Sequence, residues 1–222
     1  MRYADGPVAE ATIQVSAPPE VLWALVSDIH LVASLSREVQ EVAWLDEVRE
    51  PAVGAAFRGR SCHRQVGEWS TTSRVVVCDP PRVFAWAVED PADPAALWRF
   101  ELTPRDGGTQ LRQWARMGPG FSLLRRAIAA MPDKEERIVA GRLREWQDGI
   151  EANLAALKEL AESRARGHAA SRAISSSRSM RPDSSPSATI SVEASMKPRS
   201  RSRSTSRMAR PSPDRISIST MS

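Results

Sequence analysis

The feature that most constrains this chain is the placement of its aromatic residues. All twelve lie before residue 147, and the last of them is Trp146. Residues 164–222 contain none, and serine occupies 18 of these 59 positions. A segment of that composition cannot bury enough apolar surface to offset the entropy lost on ordering. The sequence therefore predicts a folded domain over residues 1–163 and a disordered, Ser/Arg-rich basic tail over residues 164–222.

Charge divides the chain at the same place. The tail carries twelve Arg or Lys residues and three acidic ones, whereas the first 163 residues carry 19 basic and 24 acidic residues. The mildly acidic domain lacks the basic character typical of nucleic-acid-binding domains, so no specific nucleic-acid partner is expected. Three interpretations of the tail stay open. Its Arg-Ser repeats can contact acidic partners weakly, with phosphorylation as a modulator; it can be a tether; or it can be an artefact of a frameshift or read-through.

The small numbers of cysteine and histidine residues exclude several classes of protein. The two cysteines, Cys62 and Cys78, are too few for a disulfide-rich scaffold or a cysteine-built zinc site, and we expect inert thiols. His30 is expected to be a surface residue or a cap partner. Neither it nor His63 has a carboxylate at metal-ligand spacing along the sequence, which predicts no metal.

Longer patterns exclude further classes. No apolar run approaches the roughly 20 residues that a membrane span requires, and the N-terminal residues have no apolar signal core. The expected location is the cytoplasm. Nucleophile-elbow, phosphate-loop and dinucleotide patterns do not occur in the sequence, so no cofactor is predicted.

Alternating polarity predicts a series of strands. The first covers residues 8–16 and is followed by two short helices over 20–27 and 28–35, with prolines setting the first turn. Six further strands are predicted at residues 38–46, 54–64, 67–78, 83–89, 96–103 and 109–117. Gly118-Pro119-Gly120 then breaks the pattern before a short apolar helix over 121–131, and we interpret it as the hinge of a lid.

A long amphipathic helix closes the predicted domain. It begins at Pro132 and Asp133, with Asp133 and Glu136 resembling a capping box, and is expected to end near Ala161. Its apolar residues recur at spacings of three and four: Val139, Leu143, Trp146, Ile150, Leu154 and Leu157. An antiparallel sheet must cover its apolar face, and this helix is the available cover. The predicted class is α+β, with a curved antiparallel sheet of about seven strands around the helix.

Five short motifs occur in a fixed order along residues 8–160. They are APPEVLW at 17–23, GAAFRGR at 54–60, WSTTSRV at 69–75, DPPRVFAW at 79–86 and GGTQL at 107–111. Together with the order of elements they resemble the START-like helix-grip superfamily, in its SRPBCC branch of polyketide cyclase/dehydrase and lipid-transport proteins. The resemblance implies a cavity between sheet and long helix for a hydrophobic small molecule. It does not imply one activity.

The alternation of the strands indicates which residues face that cavity. The inward set is Phe57, Ser61, His63, Thr71, Ser73, Val75, Trp86, Trp98, Phe100, Gln113 and Trp146. All except His63 and Val75 are predicted to bind the ligand, since aromatic rings with a few polar groups are typical of small-molecule pockets. From periodicity alone, the favoured interpretation is that these rings simply fill a core.

Three functions follow from this set and from the tail. The first is binding of a hydrophobic, ring-containing ligand by a carrier or sensor. The alternative is a cyclase, aromatase or dehydratase in which His63 moves a proton and polar neighbours bind the substrate. The third is an interaction module recruited through its basic tail.

Overall fold

The computed structural model describes residues 1–179 apart from positions 46, 48 and 49, with side chains to residue 169. Its strands are β1 Val8–Val15, β2 Val39–Trp44, β3 Ala56–His63, β4 Gly67–Asp79, β5 Val83–Val88, β6 Ala96–Arg105 and β7 Gly108–Met117. Its α-helices are α1 Pro19–Val26, α2 Ile29–Leu35, α3 Leu123–Ala130 and α4 Glu135–Ser179. The predicted order of elements is confirmed.

The seven strands form one antiparallel sheet in the order β1-β7-β6-β5-β4-β3-β2. Consecutive strands from β2 to β7 are neighbours in the sheet, and β1 pairs with β7. The two short helices occupy the connection from β1 to β2. The α+β helix-grip class predicted from the sequence is therefore confirmed.

One half of the space between sheet and α4 is a solid apolar core. α1 contributes side chains that have no solvent exposure, and α4 and strands β6 and β7 complete the cluster: Leu22, Leu25, Phe100, Leu102, Leu111, Ile150, Leu154 and Leu157. Burying one such side chain stabilises the fold by about 1.5–3 kcal/mol. The stripe predicted on the long helix is thus core over its C-terminal half.

α4 also protects the free edge of β1. The Lys158 ammonium donates to the Gln14 carbonyl at 2.7 Å, and the Gln147 amide donates to the Glu10 carbonyl at 3.0 Å. The Ser16 amide donates to the Glu162 carboxylate at 2.9 Å. These bonds occupy strand groups that would otherwise be free to pair with another chain.

The predicted start of the long helix near Pro132 is confirmed, and its predicted end is wrong. Residues Pro132–Lys134 form a 3-10 turn, and α4 begins at Glu135 without a capping box from Asp133. At the other end α4 continues to Ser179 rather than ending near Ala161. Residues 162–179 contain no proline, and the next proline is Pro182, so nothing in the backbone stops the helix earlier.

The predicted tail boundary at residue 164 therefore falls inside α4. Ala165 still packs against the core that contains Ala161 and Leu157. The part of the tail from residue 180 onward lies outside the described residues, and its disorder stays a prediction. No helix within the described residues has the length and apolar character needed to cross a membrane.

Candidate ligand cavity

A cavity of about 1420 Å³ separates the other half of the sheet from α4. Its walls come from strands β3 to β7 and from α2, α3 and α4. Two helix glycines, Gly141 and Gly149, line it, and a Cβ added at either would meet no atom within 4 Å. Glycine inside a helix costs roughly 0.5–1 kcal/mol relative to alanine. At these two positions it leaves the space beside α4 open.

Indole and phenyl rings form the main wall of the cavity. Trp86 and Trp98, cross-strand partners on β5 and β6, stack with centroids 6.3 Å apart and planes 10° from parallel. Trp146 from α4 approaches Trp98 at 5.1 Å, and Phe57 approaches Trp86 edge-on at 6.1 Å. Such contacts fix the rings against one another.

A charged network lies at one end of the cavity. The Arg142 guanidinium contacts both carboxylate oxygens of Glu38, with one donor–acceptor distance of 2.7 Å, and lies 2.9 Å from Glu145. It also lies over the Trp146 ring, 5.6 Å from its centroid. Burial opposes the charge of Arg142, but hydrogen bonds to Glu38 and Glu145 outweigh it and raise the pKa of Arg142.

His63 lies at the end of β3 and joins this network. Its Nε2 is 3.4 Å from a Glu145 oxygen, and its Nδ1 accepts from the backbone N–H of Gln65 at 3.3 Å. A neutral imidazole has one donor and one acceptor nitrogen. The contacts therefore assign the proton to Nε2, so that the basic lone pair on Nδ1 faces the β3–β4 turn.

The network brings together three metal-ligating side chains. One ligand atom from each of Glu38, His63 and Glu145 lies within 4.8 Å of the others. The Arg142 guanidinium contacts both carboxylates. A fixed cation that already neutralises two carboxylates takes the place that a metal would need, so we interpret the cluster as an ion network.

The structure brings most of the predicted site residues together. His63 and eight of the nine predicted ligand-binding residues line the cavity: Phe57, Ser61, Thr71, Ser73, Trp86, Trp98, Gln113 and Trp146. Their contact with a ligand stays a prediction. Phe100 faces inward as expected but has no solvent exposure and belongs to the core beneath Trp86, 6.1 Å away. It is packed under α1 and α4, and the cavity does not reach it.

The polar lining residues that the sequence prediction missed include Glu38, Arg142, Glu145 and Asn153. Charged residues on an amphipathic helix normally face water, so Arg142 and Glu145 gave no signal as site residues. Asn153 lies seven positions after Trp146, which places both on one helix face. That spacing is the one signal that pointed to Asn153.

The predicted lid hinge at Gly118-Pro119-Gly120 is wrong. A Cβ at Gly118 would lie 1.8 Å from the Pro94 carbonyl oxygen, and one at Gly120 would lie 2.0 Å from the Asp93 carbonyl oxygen. Both glycine amides donate to this loop, at 3.1 Å each. The glycines are required for close backbone approach, and the segment is fixed in place.

A model of the family described as polyketide cyclase/dehydrase and lipid transport matches residues 7–162. The chain belongs to this family. No curated protein matches the sequence. The family match covers the sheet, both short helices, and α3 and α4 as far as the end of the core.

Several solved structures share the fold. The polyketide-cyclase-like protein Cgl2372 of Corynebacterium glutamicum is 30% identical, with a TM-score of 0.54 over 72% of this chain and 94% of Cgl2372. StfQ, a di-domain aromatase/cyclase of the steffimycin pathway, is 16% identical, with a TM-score of 0.56 over 71% of this chain and 52% of StfQ. TTHA0849 of Thermus thermophilus is 16% identical, with a TM-score of 0.50 over 71% of this chain and 98% of TTHA0849.

Proposed function

We propose that this protein binds a hydrophobic, ring-containing small molecule, of lipid or polyketide type, as a carrier or sensor. The observation that carries the proposal is the cavity of about 1420 Å³ with its wall of tryptophan rings. Small-molecule sites are concave, mostly apolar and equipped with a few polar groups. This cavity has all three properties.

The energetics favour a flat apolar ligand. Each Å² of apolar surface removed from water contributes about 25 cal/mol. The parallel Trp86 and Trp98 rings offer apolar indole surface on the sheet side. Trp146 packs against Trp98 with centroids 5.1 Å apart and borders the same space from α4, so a bound ring meets indole surface from both the sheet and the helix.

Two matched substitutions on α4 test the proposal. Gly149→Leu places a side chain in the cavity, whereas Gly167→Leu adds the same group at an exposed helix position outside it. Leucine favours a helix more than glycine does, so both variants should be at least as stable as the wild type. We expect Gly149→Leu to weaken Nile red binding, measured by fluorescence titration, by about tenfold or more. Equal affinities in the two variants contradict a ligand cavity at this place.

A second candidate function is an enzyme that cyclises or dehydrates a polyketide-type substrate. The contact between His63 and Glu145 favours it, because a carboxylate orients an imidazole for proton transfer. The imidazole would remove a proton next to a carbonyl, and the resulting enolate carbon would attack a second carbonyl. The C–C bond forms as the π bond of that carbonyl opens, and the alkoxide takes the proton back from the imidazolium. Since Nδ1 accepts a hydrogen bond from the backbone N–H of Gln65, this hydrogen bond must break before Nδ1 can act as the base.

His63→Gln separates catalysis from binding. With a synthetic poly-β-carbonyl thioester, an enzyme should accelerate cyclisation over buffer, and loss of the base should reduce that rate by about 100-fold or more. The product is followed by chromatography, and Nile red affinity serves as the control for an intact cavity. A wild-type rate equal to that in buffer contradicts the enzyme and leaves the binding proposal standing.

Two further parts of the proposal rest on composition. The free thiols of Cys62 and Cys78 are compatible with a reducing cytoplasm, which we propose as the location. The basic residues after position 163 would contact acidic partners weakly through counterion release. Neither part affects how the cavity works.

A further inference from the structure

Among the described residues, three buried side-chain polar atoms have no hydrogen-bond partner. They are Oε1 of Gln113, Nε1 of Trp146 and Oδ1 of Asn153. Buried polar groups are almost always paired in folded proteins, and each exception requires an explanation. All three residues line the same cavity. A shared location points to a shared partner.

The three side chains border one strip of the cavity. Gln113, only 1% exposed, lies on β7 beside Phe100 of β6 and diagonal to Trp98, which packs on Trp146. Asn153 follows Trp146 by seven residues, about 10 Å along the same helix face. Gly149 lies between them with open space at its Cβ position. The strip is thus bounded by two acceptors, one donor and an aromatic wall.

We propose that this strip recognises a neutral ring compound through a hydroxyl group on the ring. This inference rests on the proposed function and adds the chemical class of the ligand. A hydroxyl can donate to an amide oxygen of Gln113 or Asn153 and accept from the Trp146 N–H. Rotation of either amide would present a donor instead, and a hydroxyl still pairs with it. A plain hydrocarbon leaves all three atoms unpaired.

The charges beside Trp146 disfavour a carboxylate in the place of the hydroxyl group. Arg142, which lies over Trp146, is already paired with Glu38 and Glu145. The two carboxylates would therefore repel an added anion, because they already occupy the positive charge of Arg142. The strip selects a neutral polar group over an acidic one.

Three naphthalene probes of equal ring size test this selection. We expect the wild type to bind 2-naphthol about tenfold more tightly than 2-methylnaphthalene, since each hydrogen bond that satisfies a buried group adds affinity. 2-Naphthoate should bind more weakly than 2-naphthol. Affinities are measured by isothermal calorimetry and by quenching of tryptophan emission.

Gln113→Met removes the amide at nearly constant length, and Gln110→Met is its control on the same strand, outside the cavity. The first should reduce the ratio of 2-naphthol to 2-methylnaphthalene affinity, whereas the control should keep the wild-type ratio. Asn153→Leu provides a second test on α4, in case the Gln113 variant does not fold. Thermal melts of all variants verify the fold.

The outcomes separate this inference from the proposed function. Equal wild-type affinity for 2-naphthol and 2-methylnaphthalene, or tightest binding of 2-naphthoate, overturns the hydroxyl selection and leaves the ligand cavity intact. A preference that survives in both Gln113→Met and Asn153→Leu also overturns it. Failure of every naphthalene and of Nile red to bind overturns both.

Discussion

Phe100→Ala is expected to lower the free energy of unfolding by about 3–5 kcal/mol, the range for a fully buried phenylalanine. The Phe100 ring has no solvent exposure and lies between Trp86 and the leucines of α1 and α4. Its removal leaves a void in the one half of the interior that is solidly packed. Urea unfolding followed by circular dichroism measures the change.

Phe121→Ala is the matched control, because Phe121 is 69% exposed at the rim of the cavity. Its effect on stability should stay within about 0.5 kcal/mol. Similar losses in the two variants would mean that the position of Phe100 in the core is wrong. A Phe100→Ala protein that keeps its stability but loses Nile red would restore Phe100 as a ligand-binding residue.

Ser61→Phe is expected to reduce Nile red affinity by about 100-fold while changing stability by less than about 1 kcal/mol. Ser61 is 7% exposed, lies on β3 opposite Trp69 and lines the cavity. A phenyl group there occupies the space that the ligand requires. In a packed core the same change would instead force neighbouring side chains apart and cost roughly 1–3 kcal/mol.

Arg58→Phe, on the exposed face of the same strand, controls for the added ring. It should leave Nile red affinity unchanged. A large loss of stability in Ser61→Phe, together with a wild type that binds no apolar probe, contradicts the cavity. That outcome would also contradict a catalytic role for His63.

Local pattern was sufficient for the elements and for the facing of their side chains. Alternation on β3 sets Phe57 and Ser61 on one face and Arg58 on the other, because consecutive side chains on a strand point to opposite sides. The same rule placed Trp86 and Trp98 together, and the register of β5 with β6 confirms it. Inward or outward is a property of a few neighbouring residues, so the sequence carries it directly.

Local pattern could not distinguish core from cavity. Phe100 and Trp98 share a strand face two residues apart, yet Phe100 is in the core and Trp98 lines the open space. The difference depends on which part of that face α1 covers, and α1 lies far earlier in the chain. Gly141 and Gly149 of α4 contribute as well, since they leave space open beside the helix at these two positions.

The sequence by itself determined a seven-strand helix-grip domain with a tryptophan-rich inner face, because periods of two and of three to four residues are local signals. Only the tertiary structure decided the polar end of the cavity. Arg142 and Glu38 are 104 positions apart, and their pairing follows from folding the sheet against α4. The unpaired atoms of Gln113, Trp146 and Asn153 likewise became visible only when β7 and α4 faced each other, since pairing is a property of neighbours in space.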